Sequence, residues 1–451
     1  MDYRARTGAG SQIVPLTVDA PYFNSYWLYQ ITVWTIYRVW GTAGLVASHY
    51  LAAIVAYALV ASQAVKRAGG ISPWLAPLLL IGLFGNYWEV RPHVVSWLFL
   101  ALLLGLLDRR DTRWIWISPV LMLVWANAHS LFILGWVAIA AHAVEVFRLG
   151  KAGAHRRFWF AAALSLAAPL ANPYGWQGIC VPFQQWQNLQ TGSAFKSAEF
   201  GIHEHLSPFS LFRYFAATGE FRLVQPVLAM HLFTALAALT LLISIRRVCL
   251  REWLLVGLFG YVYSLAEKNF GYFLIAAFPI VAGHLDGLAS RQTAGRSAQL
   301  IRALPAATAA LAAAGTWWVL SGNYFEYLKS PMRTGHRFNP DFLPVGAAAF
   351  INAAGLPSGA RILNNLDAGG YLAFATRRDV FIDGSLESIP GMFYREYARS
   401  KDLRELPSFL ARWRPDAVVI PYSDIPPNGS RTSIGIRNGA SPISMLATPS
   451  I

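Results

Sequence analysis

Charged and imidazole side chains recur in this sequence at the turns between long apolar segments. The stretch "YWEVRPHVVSW" (87–97) places Glu89, Arg91 and His93 between two hydrocarbon runs. Similar polar turns are "WANAHS" (125–130), "ANPYGWQG" (171–178), "SAEFGIHEH" (197–205) and "AEKNFGYF" (266–273). Ionisable groups at a bilayer edge are costly unless they face protein or a water-filled cavity. The turns therefore predict a polar site at one end of a helical bundle.

The residue types at these turns suit an anionic, sugar-bearing lipid. Arginine and lysine pair with phosphate, a carboxylate can accept the proton of an acceptor hydroxyl, and aromatic rings can stack on a sugar. Glu89 and Glu199 are candidate catalytic carboxylates. The candidate substrate-binding residues are Arg91, His93, Asn127, His129, Asn172, Tyr174, Lys268 and Asn269. A simpler interpretation stays open, in which these are ordinary polar loop ends and Glu89 forms an interfacial ion pair with Arg91.

Other motifs give weaker indications. His203, Glu204 and His205 resemble a metal box, but the second histidine of a zinc-protease motif would stand where Ser207 stands. We therefore predict no metal site, and the sequence leaves any cofactor unknown. The glycines of "DAGGYL" (367–372) suit a phosphate loop or a tight strand-to-helix turn equally well. Likewise "FIDGSLE" (381–387) is compatible with a ligand site or an ordinary turn.

The composition identifies a polytopic membrane protein. The chain has 451 residues, of which 55% are hydrophobic and only 13% are charged, against roughly 25% charged residues in soluble domains. Backbone polar groups must be paired within lipid, so the apolar runs are predicted to be helices. The predicted helices span 43–62, 73–88, 93–107, 114–127, 131–147, 158–172, 223–245, 253–266, 270–285 and 303–320.

The net charge of +14 follows the positive-inside pattern rather than a nucleic-acid footprint. Alternate connections hold Lys66, Arg67, Arg109, Arg110, Arg113, Arg148, Lys151, Arg156, Arg157, Arg246, Arg247, Arg251, Arg291, Arg296 and Arg302. The short connections on the other side hold Arg91 and Lys268. The basic loops are therefore predicted to be cytoplasmic and the polar turns external, which places Cys180 and Cys249 on opposite sides.

The predicted fold is a helical membrane bundle of about ten spans with a small C-terminal extracytoplasmic α/β domain. Residues 1–42 form an external segment with an aromatic-rich interfacial helix. Residues 43–320 form the bundle, interrupted by an external loop at 173–222. Residues 321–425 form the α/β domain, with strands at 360–363, 379–383 and 416–420. Residues 426–451 are expected to have no regular structure.

The order of several short motifs carries a resemblance to a known family. These are "NSYWLYQ…IYRVWGTAGL", "RPHVVSWLFLALLL", "WANAHSLFILGW", "NPYG", "AEF", "KNFGYFLIAAFPIV" and "GGYL…VFIDGSLE". Over about residues 12–422 the chain resembles bacterial polytopic proteins related to the GT-C glycosyltransferases. The resemblance implies a polyprenyl-phosphate sugar as the donor and an active site at the external face.

The resemblance also implies a catalytic aspartate in the first external loop, within a motif like D-x-W-W-H-x-x-x-G followed by Pro and Asp. Asp2 and Gly10 have the motif's spacing, and Asp19 matches the later aspartate, which makes it a third catalytic candidate. Arg4, Ala5 and Arg6 stand where the two tryptophans and the histidine should be. Two expectations stay open: the chain is truncated at its N-terminus, or it has lost catalysis.

The sequence thus predicts a membrane glycosyltransferase that transfers a sugar to a lipid, glycan or protein at the external face. Its partners would be membrane lipid and a polyprenyl-phosphate-linked sugar, without nucleic acid, and its location the bacterial cytoplasmic (inner) membrane. The oligomeric state is not indicated. The main alternative is a non-catalytic protein that binds or moves a lipid-linked glycan. A secondary transporter is less compatible, because transporters place charges near the bilayer midplane and often contain inverted repeats.

Overall fold

The computed structural model describes most of the chain and divides it into two compact units. The described residues are 24–70, 72–85, 90–109, 112–150, 152–188, 203–219, 226–289, 296–327, 338, 340, 343–384, 391–400, 404–420, 432–438 and 441–447. The helical unit comprises Asn24–Gln190 and Ile202–Lys329, and the sheet unit includes Ser330–Ile451. Each unit has its own hydrophobic core.

The helical unit contains the long apolar segments that the sequence predicted as helices. Its helices are α1 (Trp27–Ala68), α2 (Leu75–Phe84), α3 (His93–Leu107), α4 (Ile117–Ala128), α5 (Ile133–Leu149), α6 (Ala152–Ala167), α7 (Trp176–Asn188), α8 (Pro208–Thr218), α9 (Pro226–Ile243), α10 (Leu250–Leu265), α11 (Phe270–Ala289), α12 (Arg296–Leu320) and α13 (Asn323–Tyr327). Short 3₁₀ turns at Thr112–Trp116, Ser130–Phe132, Ala168–Leu170, His203–His205 and Glu267–Asn269 connect several of them.

Helix α1 is too long to be one simple span. At a rise of about 1.5 Å per residue its 42 residues would extend about 63 Å, roughly twice a hydrocarbon core. Gly41 interrupts the helical dihedrals with φ 63° and ψ −156°, a backbone conformation that glycine adopts and side chains resist. The interruption separates the aromatic-rich 27–40 from the apolar 42–68, close to the predicted boundary at 42.

Helix α11 lies at the centre of the helical unit. From Phe270 to Ala282 every residue is buried, and α1, α3, α9 and α10 pack around it. Peripheral helices show the opposite pattern, because the apolar side chains Leu242 on α9 and Trp317 on α12 are 61% and 74% exposed. A bundle with a packed centre and exposed apolar sides is what a lipid environment requires.

Five helical segments of the described chain are long and apolar enough to cross a membrane. They are Trp27–Ala68, Ser130–Leu149, Pro226–Ile243, Glu267–Ala289 and Ala303–Leu320. Helices α2 and α3 are apolar but shorter, with 10 and 15 residues, below the roughly 20 residues of a full span. The chain is therefore a helical membrane protein, and the count of about ten spans stays a prediction.

The predicted loop at 173–222 is partly wrong, because two helices lie within it. Helix α7 covers Trp176–Asn188 and α8 covers Pro208–Thr218. Helix α8 begins with a side-chain cap, since Ser207 Oγ accepts the backbone N–H of Ser210 at 3.0 Å, followed by Pro208 at the first helical position. The sequence signal for this helix start was therefore present within the loop.

A network of ion pairs joins five helices of the helical unit at one end of α3. Asp108, which follows α3, accepts hydrogen bonds from Arg67 at 3.0 Å and Arg251 at 2.8 Å, and its Oδ1 lies 3.2 Å from His142. Arg67 also donates to Glu252 at 2.6 Å, and His284 lies 3.1 Å from the same carboxylate. This Asp108 network consists of Arg67, Asp108, His142, Arg251, Glu252 and His284. Arg67 and Arg251 thus make specific contacts and are more than topology signals.

The sheet unit contains a five-stranded mixed sheet. Its strands are β1 (Arg361–Asn364), β2 (Asp379–Val380), β3 (Ala417–Ile420), β4 (Thr432–Asn438) and β5 (Ser441–Ala447), in the order β2-β1-β3-β4-β5. β1 is parallel to β2 and β3, whereas β3–β4 and β4–β5 are antiparallel. Its helices are α14 (Val345–Ala353), α15 (Leu366–Thr376), α16 (Gly391–Arg399) and α17 (Leu406–Trp413).

The expectation of an irregular tail at 426–451 is wrong for the described residues. Strands β4 and β5 pair antiparallel from Thr432 opposite Ala447 to Asn438 opposite Ser441. The sequence does carry strand signals there, because Ile434 and Ile436 alternate with polar or small residues, and Gly439, which follows, is a residue type favoured in hairpin turns. The many Ser, Gly and Pro residues of this segment obscured that alternation.

Packing explains one glycine of the "DAGGYL" motif. A Cβ at Gly369 would overlap the carbonyl oxygen of Ile382, so this position requires glycine for close approach of the backbone. Asn364 fixes the same region, since its Nδ2 donates to the Ile382 carbonyl at 2.7 Å and its Oδ1 accepts the Phe381 N–H at 3.0 Å. These contacts favour the turn interpretation of the motif over a phosphate loop.

Candidate functional site

Two predicted cationic residues converge on one carboxylate at the end of α3 opposite the Asp108 network. Arg91 lies just before α3, and Lys268 lies in the 3₁₀ turn between α10 and α11. Both form ion pairs with Glu204 of the His203–His205 turn: Arg91 with Oε2, and Lys268 with Oε1 at 3.8 Å. The sequence predicted that Arg91 and Lys268 would meet, but it did not identify Glu204 as their shared partner.

His205 completes this group of side chains. Its Nε2 lies 2.5 Å from Lys268 Nζ and 3.8 Å from Glu204 Oε1. An ammonium group has donors and no acceptor, so Lys268 donates and Nε2 of His205 accepts, which leaves the ring proton on Nδ1. We call Arg91, Glu204, His205 and Lys268 the Glu204 cluster.

The charges of the Glu204 cluster determine the protonation of its acid. Burial by itself would raise the pKa of Glu204, but the positive charges of Lys268 and Arg91 outweigh it and lower the pKa to about 2. The carboxylate is therefore ionised at neutral pH. A carboxylate with so low a pKa is a poor proton acceptor, so its arrangement suits electrostatic work rather than general-base catalysis.

Backbone contacts hold the turn that presents Glu204. The N–H of Glu267 donates to the carbonyl of Leu206 at 2.9 Å, which ties this turn to the turn bearing Lys268. Pro208 and Leu211 of α8 are buried and anchor the chain after it. The position of Glu204 thus depends on tertiary contacts between segments about 60 residues apart in sequence.

A second polar group of the helical unit includes the predicted residue His129. His129 is 6% exposed, and its Nδ1 lies 2.5 Å from the hydroxyl of Ser96 on α3. The same hydroxyl accepts the indole N–H of Trp125 at 2.6 Å. Because that bond occupies a lone pair, Ser96 can donate its proton to His129. This chain links α3, α4 and the 3₁₀ turn at 130–132.

Tyr26 connects His129 to the start of α1. Its ring centroid lies 5.3 Å from that of His129, and its hydroxyl accepts a hydrogen bond from Gln185 of α7 at 2.9 Å. Ser130 donates to the Oε1 of Gln185 at 2.6 Å. Four separate segments thus contribute polar or aromatic side chains to one connected group.

Asn127 links several parts of the same group. Its Oδ1 accepts the indole N–H of Trp27 at 2.9 Å, and its Nδ2 donates to the carbonyls of Leu123 and Ala171. These bonds occupy both amide donors and one lone pair of the oxygen. Asn127 therefore positions Trp27 and the segment after α6, and its own capacity to bind a ligand is small.

His93 lies among aromatic side chains at the start of α3. Its ring centroid is 4.7 Å from that of Trp97 and 6.0 Å from that of His49 on α1. His49 is only 4% exposed, and neither of its ring nitrogens has a hydrogen-bond partner in the described part of the chain. Such an unpaired buried polar group is unusual in a folded protein. No sequence pattern pointed to His49.

Two other predicted binding residues, Asn172 and Asn269, form side-chain hydrogen bonds to the backbone. Asn172 Nδ2 donates to the carbonyls of Pro169 and Gly175, and its Oδ1 accepts the N–H of Tyr174. These contacts make an Asx-type turn at "NPYG". Asn269 donates to the carbonyl of Val262 at 2.9 Å and closes the end of α10. Asn172 and Asn269 therefore shape the turns, and their contact with a ligand stays a prediction.

The three candidate catalytic carboxylates lie outside the described residues. Asp19 belongs to 1–23, Glu89 to 86–89 and Glu199 to 189–202, for none of which a structure is described. Their roles stay predictions. Glu387 of "FIDGSLE" is also outside the described residues, whereas Asp383 is 8% exposed.

Within the described chain, no group of three or more His, Cys, Asp or Glu side chains is arranged to hold a metal ion. Glu204 and His205 of the "HEH" motif both contact Lys268. The positive charge of this ammonium group repels a metal cation. The electrostatic character of this cluster favours an anion.

The comparisons with known proteins give a likeness to solved structures and none to families or curated sequences. No family model matches the chain, and no curated protein matches it in sequence. Among solved structures, it is similar to the archaeal oligosaccharyltransferase AglB from Archaeoglobus fulgidus, in complex with an inhibitory peptide and a dolichol-phosphate. The identity is 10% and the TM-score 0.49, over 89% of this chain and 62% of the AglB chain. No residue role follows from a likeness at this level.

Proposed function

We propose that this chain is a GT-C-like membrane glycosyltransferase that transfers a sugar from a polyprenyl-phosphate donor to a lipid, glycan or protein acceptor. The supporting observation is the convergence of Arg91 and Lys268, from two separate helix connections, at one end of an apolar-sided bundle. A lipid phosphate needs cationic groups at the bilayer edge and an apolar surface beside them for its chain. The helical unit offers both.

In the proposed reaction Arg91 and Lys268 bind the donor phosphate. The acceptor hydroxyl attacks the anomeric carbon while the bond from that carbon to the phosphate oxygen breaks. The bonding electrons leave with polyprenyl phosphate, whose charge the two cations stabilise. Asp19, Glu89 or Glu199 accepts the hydroxyl proton. One base and no covalent intermediate give inversion at the sugar.

Within this proposal the pocket residues have different tasks. Trp27 and Tyr26, held by Asn127 and Gln185, offer aromatic surfaces to a sugar ring. His93, at the start of α3, and His129, just before the 3₁₀ turn at 130–132, would donate to sugar hydroxyls. Asn172 and Asn269 preserve the turns that carry Tyr174 and Lys268.

The test measures release of polyprenyl phosphate from polyprenyl-phosphate hexoses by the chain in nanodiscs, with a membrane extract as the acceptor source. Loss of one charge-assisted bond to phosphate costs about 1.5–3 kcal/mol, so Arg91→Ala and Lys268→Ala should slow transfer about 10- to 100-fold. Glu326→Gln, at an exposed carboxylate on α13, is the control. If Arg91→Ala and Glu89→Gln both leave transfer intact, the assignment is wrong.

A second candidate function is non-catalytic binding or movement of a lipid-linked glycan. It is favoured because Glu204, the carboxylate that the structure describes beside Arg91 and Lys268, has a pKa of about 2 and is a poor base, while the proposed bases lie outside the described residues. In that case the wild-type chain binds the lipid without any turnover, and Arg91→Ala changes the dissociation constant alone. The same nanodisc preparation therefore distinguishes the two candidates.

The proposed orientation has the Glu204 cluster outside and the Asp108 network in the cytoplasm of a bacterial inner-membrane protein, with the sheet unit extracytoplasmic. Cys180 and Cys249 are both partly exposed and fall on opposite sides in this topology. A membrane-impermeant maleimide added to whole cells should label Cys180 in a Cys249→Ser variant. It should not label Cys249 in a Cys180→Ser variant, and the reverse result would invert the topology.

A further inference from the structure

We propose that the Glu204 carboxylate occupies the site of the donor phosphate and must leave before that phosphate binds. This inference rests on the proposed function, because it assigns Arg91 and Lys268 to the phosphate. It adds a role for Glu204 as an internal competitor that keeps the anion site closed in the absence of substrate.

The geometry of the Glu204 cluster resembles that of a bound phosphate. The two carboxylate oxygens have different cationic partners, with Arg91 on Oε2 and Lys268 on Oε1. A phosphate monoanion or dianion presents its non-bridging oxygens to guanidinium and ammonium groups in the same manner. Because Glu204 pairs with both cations, a phosphate that bridges Arg91 and Lys268 would take its place.

The contacts around the turn allow the side chain to withdraw while the chain stays anchored. Immediately after Glu204 and His205, Leu206 accepts the backbone N–H of Glu267, and Ser207 caps α8. Neither contact uses the Glu204 carboxylate. The turn itself is a single 3₁₀ segment of three residues, so a change of side-chain rotamer or of this segment suffices to open the site.

Two other roles for Glu204 predict different results. If it only fastens the turn, its replacement loosens residues 203–208 and leaves phosphate affinity unchanged. If it positions Arg91 for the ligand, its replacement weakens phosphate binding. Internal competition alone predicts that phosphate binds more tightly after the charge of Glu204 is removed.

The experiment measures binding of sugar-free polyprenyl phosphate to the full chain in nanodiscs, followed by tryptophan fluorescence. If displacing the Glu204 carboxylate costs about as much free energy as one charge-assisted hydrogen bond, phosphate binding to the wild type should be weaker by about tenfold or more. We therefore expect Glu204→Gln to bind about tenfold more tightly than the wild type and Glu204→Asp to be intermediate. Glu326→Gln should leave the affinity unchanged.

Two further variants make the outcome specific. Arg91→Ala should weaken binding, and the gain from Glu204→Gln should be much smaller when Arg91 is absent. The unfolding midpoint of each variant shows whether it is folded, and Glu204→Asp, which keeps the charge, replaces Glu204→Gln if that variant does not fold. Equal or weaker binding by folded Glu204→Gln, or by Glu204→Asp in its place, overturns the proposal.

The result separates this inference from the proposed function. If Glu204→Gln binds more tightly but no variant transfers sugar, the internal competitor stands and the transferase assignment fails. If the wild type transfers sugar and Glu204→Gln shows no gain in affinity, the assignment stands and the competitor fails.

Discussion

Helix α3 has a charged group at each end, and the two groups are built differently. The Glu204 cluster precedes α3 and consists of side chains from turns and loop ends, whose cations meet on one carboxylate. The Asp108 network follows α3, and its members lie on or beside α1, α3, α5, α10 and α11. There Arg67 joins two carboxylates, Asp108 and Glu252, at 3.0 and 2.6 Å.

The difference indicates different tasks. Burial by itself would raise the pKa of Asp108, but the hydrogen bond from His142 and the charges of Arg67 and Arg251 lower it well below its usual range. Each charge of this network thus has partners fixed on helices, which suits a clamp between helices. The Glu204 cluster is carried by short turns, which can change conformation at low cost. The Asp108 network, fixed on helices, stabilises the fold. The Glu204 cluster, carried by turns, can exchange its internal partners for a ligand.

The largest expected effect on the free energy of unfolding is in the Asp108 network, whose members are fixed on helices. Asp108→Ala removes the shared partner of Arg67, Arg251 and His142 and leaves their polar groups half-buried without it. Breaking such a network by removing one member costs about 3 kcal/mol or more, which should appear in the unfolding transition in detergent. Asp286→Ala, at a partly buried carboxylate of α11, serves as the control and should cost far less. If Asp108→Ala and Asp286→Ala lose the same stability, the Asp108 network is not a special clamp, and the contrast with the Glu204 cluster fails.

An intermediate effect is expected for Asn127→Ala, in the polar group around His129. The variant leaves the indole N–H of Trp27 and the carbonyl of Ala171 without their partner. An unsatisfied buried group costs about 1–3 kcal/mol, so the unfolding midpoint should fall less than in Asp108→Ala. The part of the tryptophan emission that Trp27→Phe removes, compared between Asn127→Ala and an Asn127→Asp variant that keeps the acceptor oxygen, shows whether the indole was released.

A smaller and pH-dependent effect is expected for Glu204→Gln. The folded-state pKa of Glu204, about 2, is lower than its ordinary value of 4.5, so its ionised form stabilises the folded chain. This contribution is complete above pH 4.5 and is lost as the pH falls toward 2. The stability difference between wild type and Glu204→Gln should therefore be constant from about pH 8 to 5 and decrease below that. A difference that increases on acidification contradicts the assigned ion pairs.

The smallest effect is expected for Arg148→Ala. Arg148 pairs with Glu145 at 2.9 Å on the surface of α5, with a side chain that is 54% exposed. Exposed pairs of this kind contribute little to stability, so the unfolding midpoint should be unchanged within error. A loss comparable to that of Asp108→Ala would show that the number of charges, rather than their fixed arrangement on helices, determines stability.

The sequence predicted most of the helices because hydrophobic runs bounded by polar turns are local signals. Helices α3, α10 and α11 lie close to the predicted spans, and β1, β2 and β3 lie at the predicted strands. The helices within 173–222 and the hairpin at 432–447 were missed because Pro, Gly and Ser suggested loops. The signals for both, Ser207 before Pro208 and the alternation around Ile434, were present but weaker.

Sequence by itself determined that polar side chains such as Arg91, His129 and Lys268 stand at the ends of apolar helices, because composition and spacing are properties of neighbouring residues. Only the tertiary structure decided which of them meet. Glu204 reaches Arg91 across 113 positions and Arg67 reaches Glu252 across 185, and no local pattern encodes such pairs. The same packing commits the side-chain amides of Asn127 and Asn172 to hydrogen bonds within the protein, because polar groups withdrawn from water need partners wherever the fold places them.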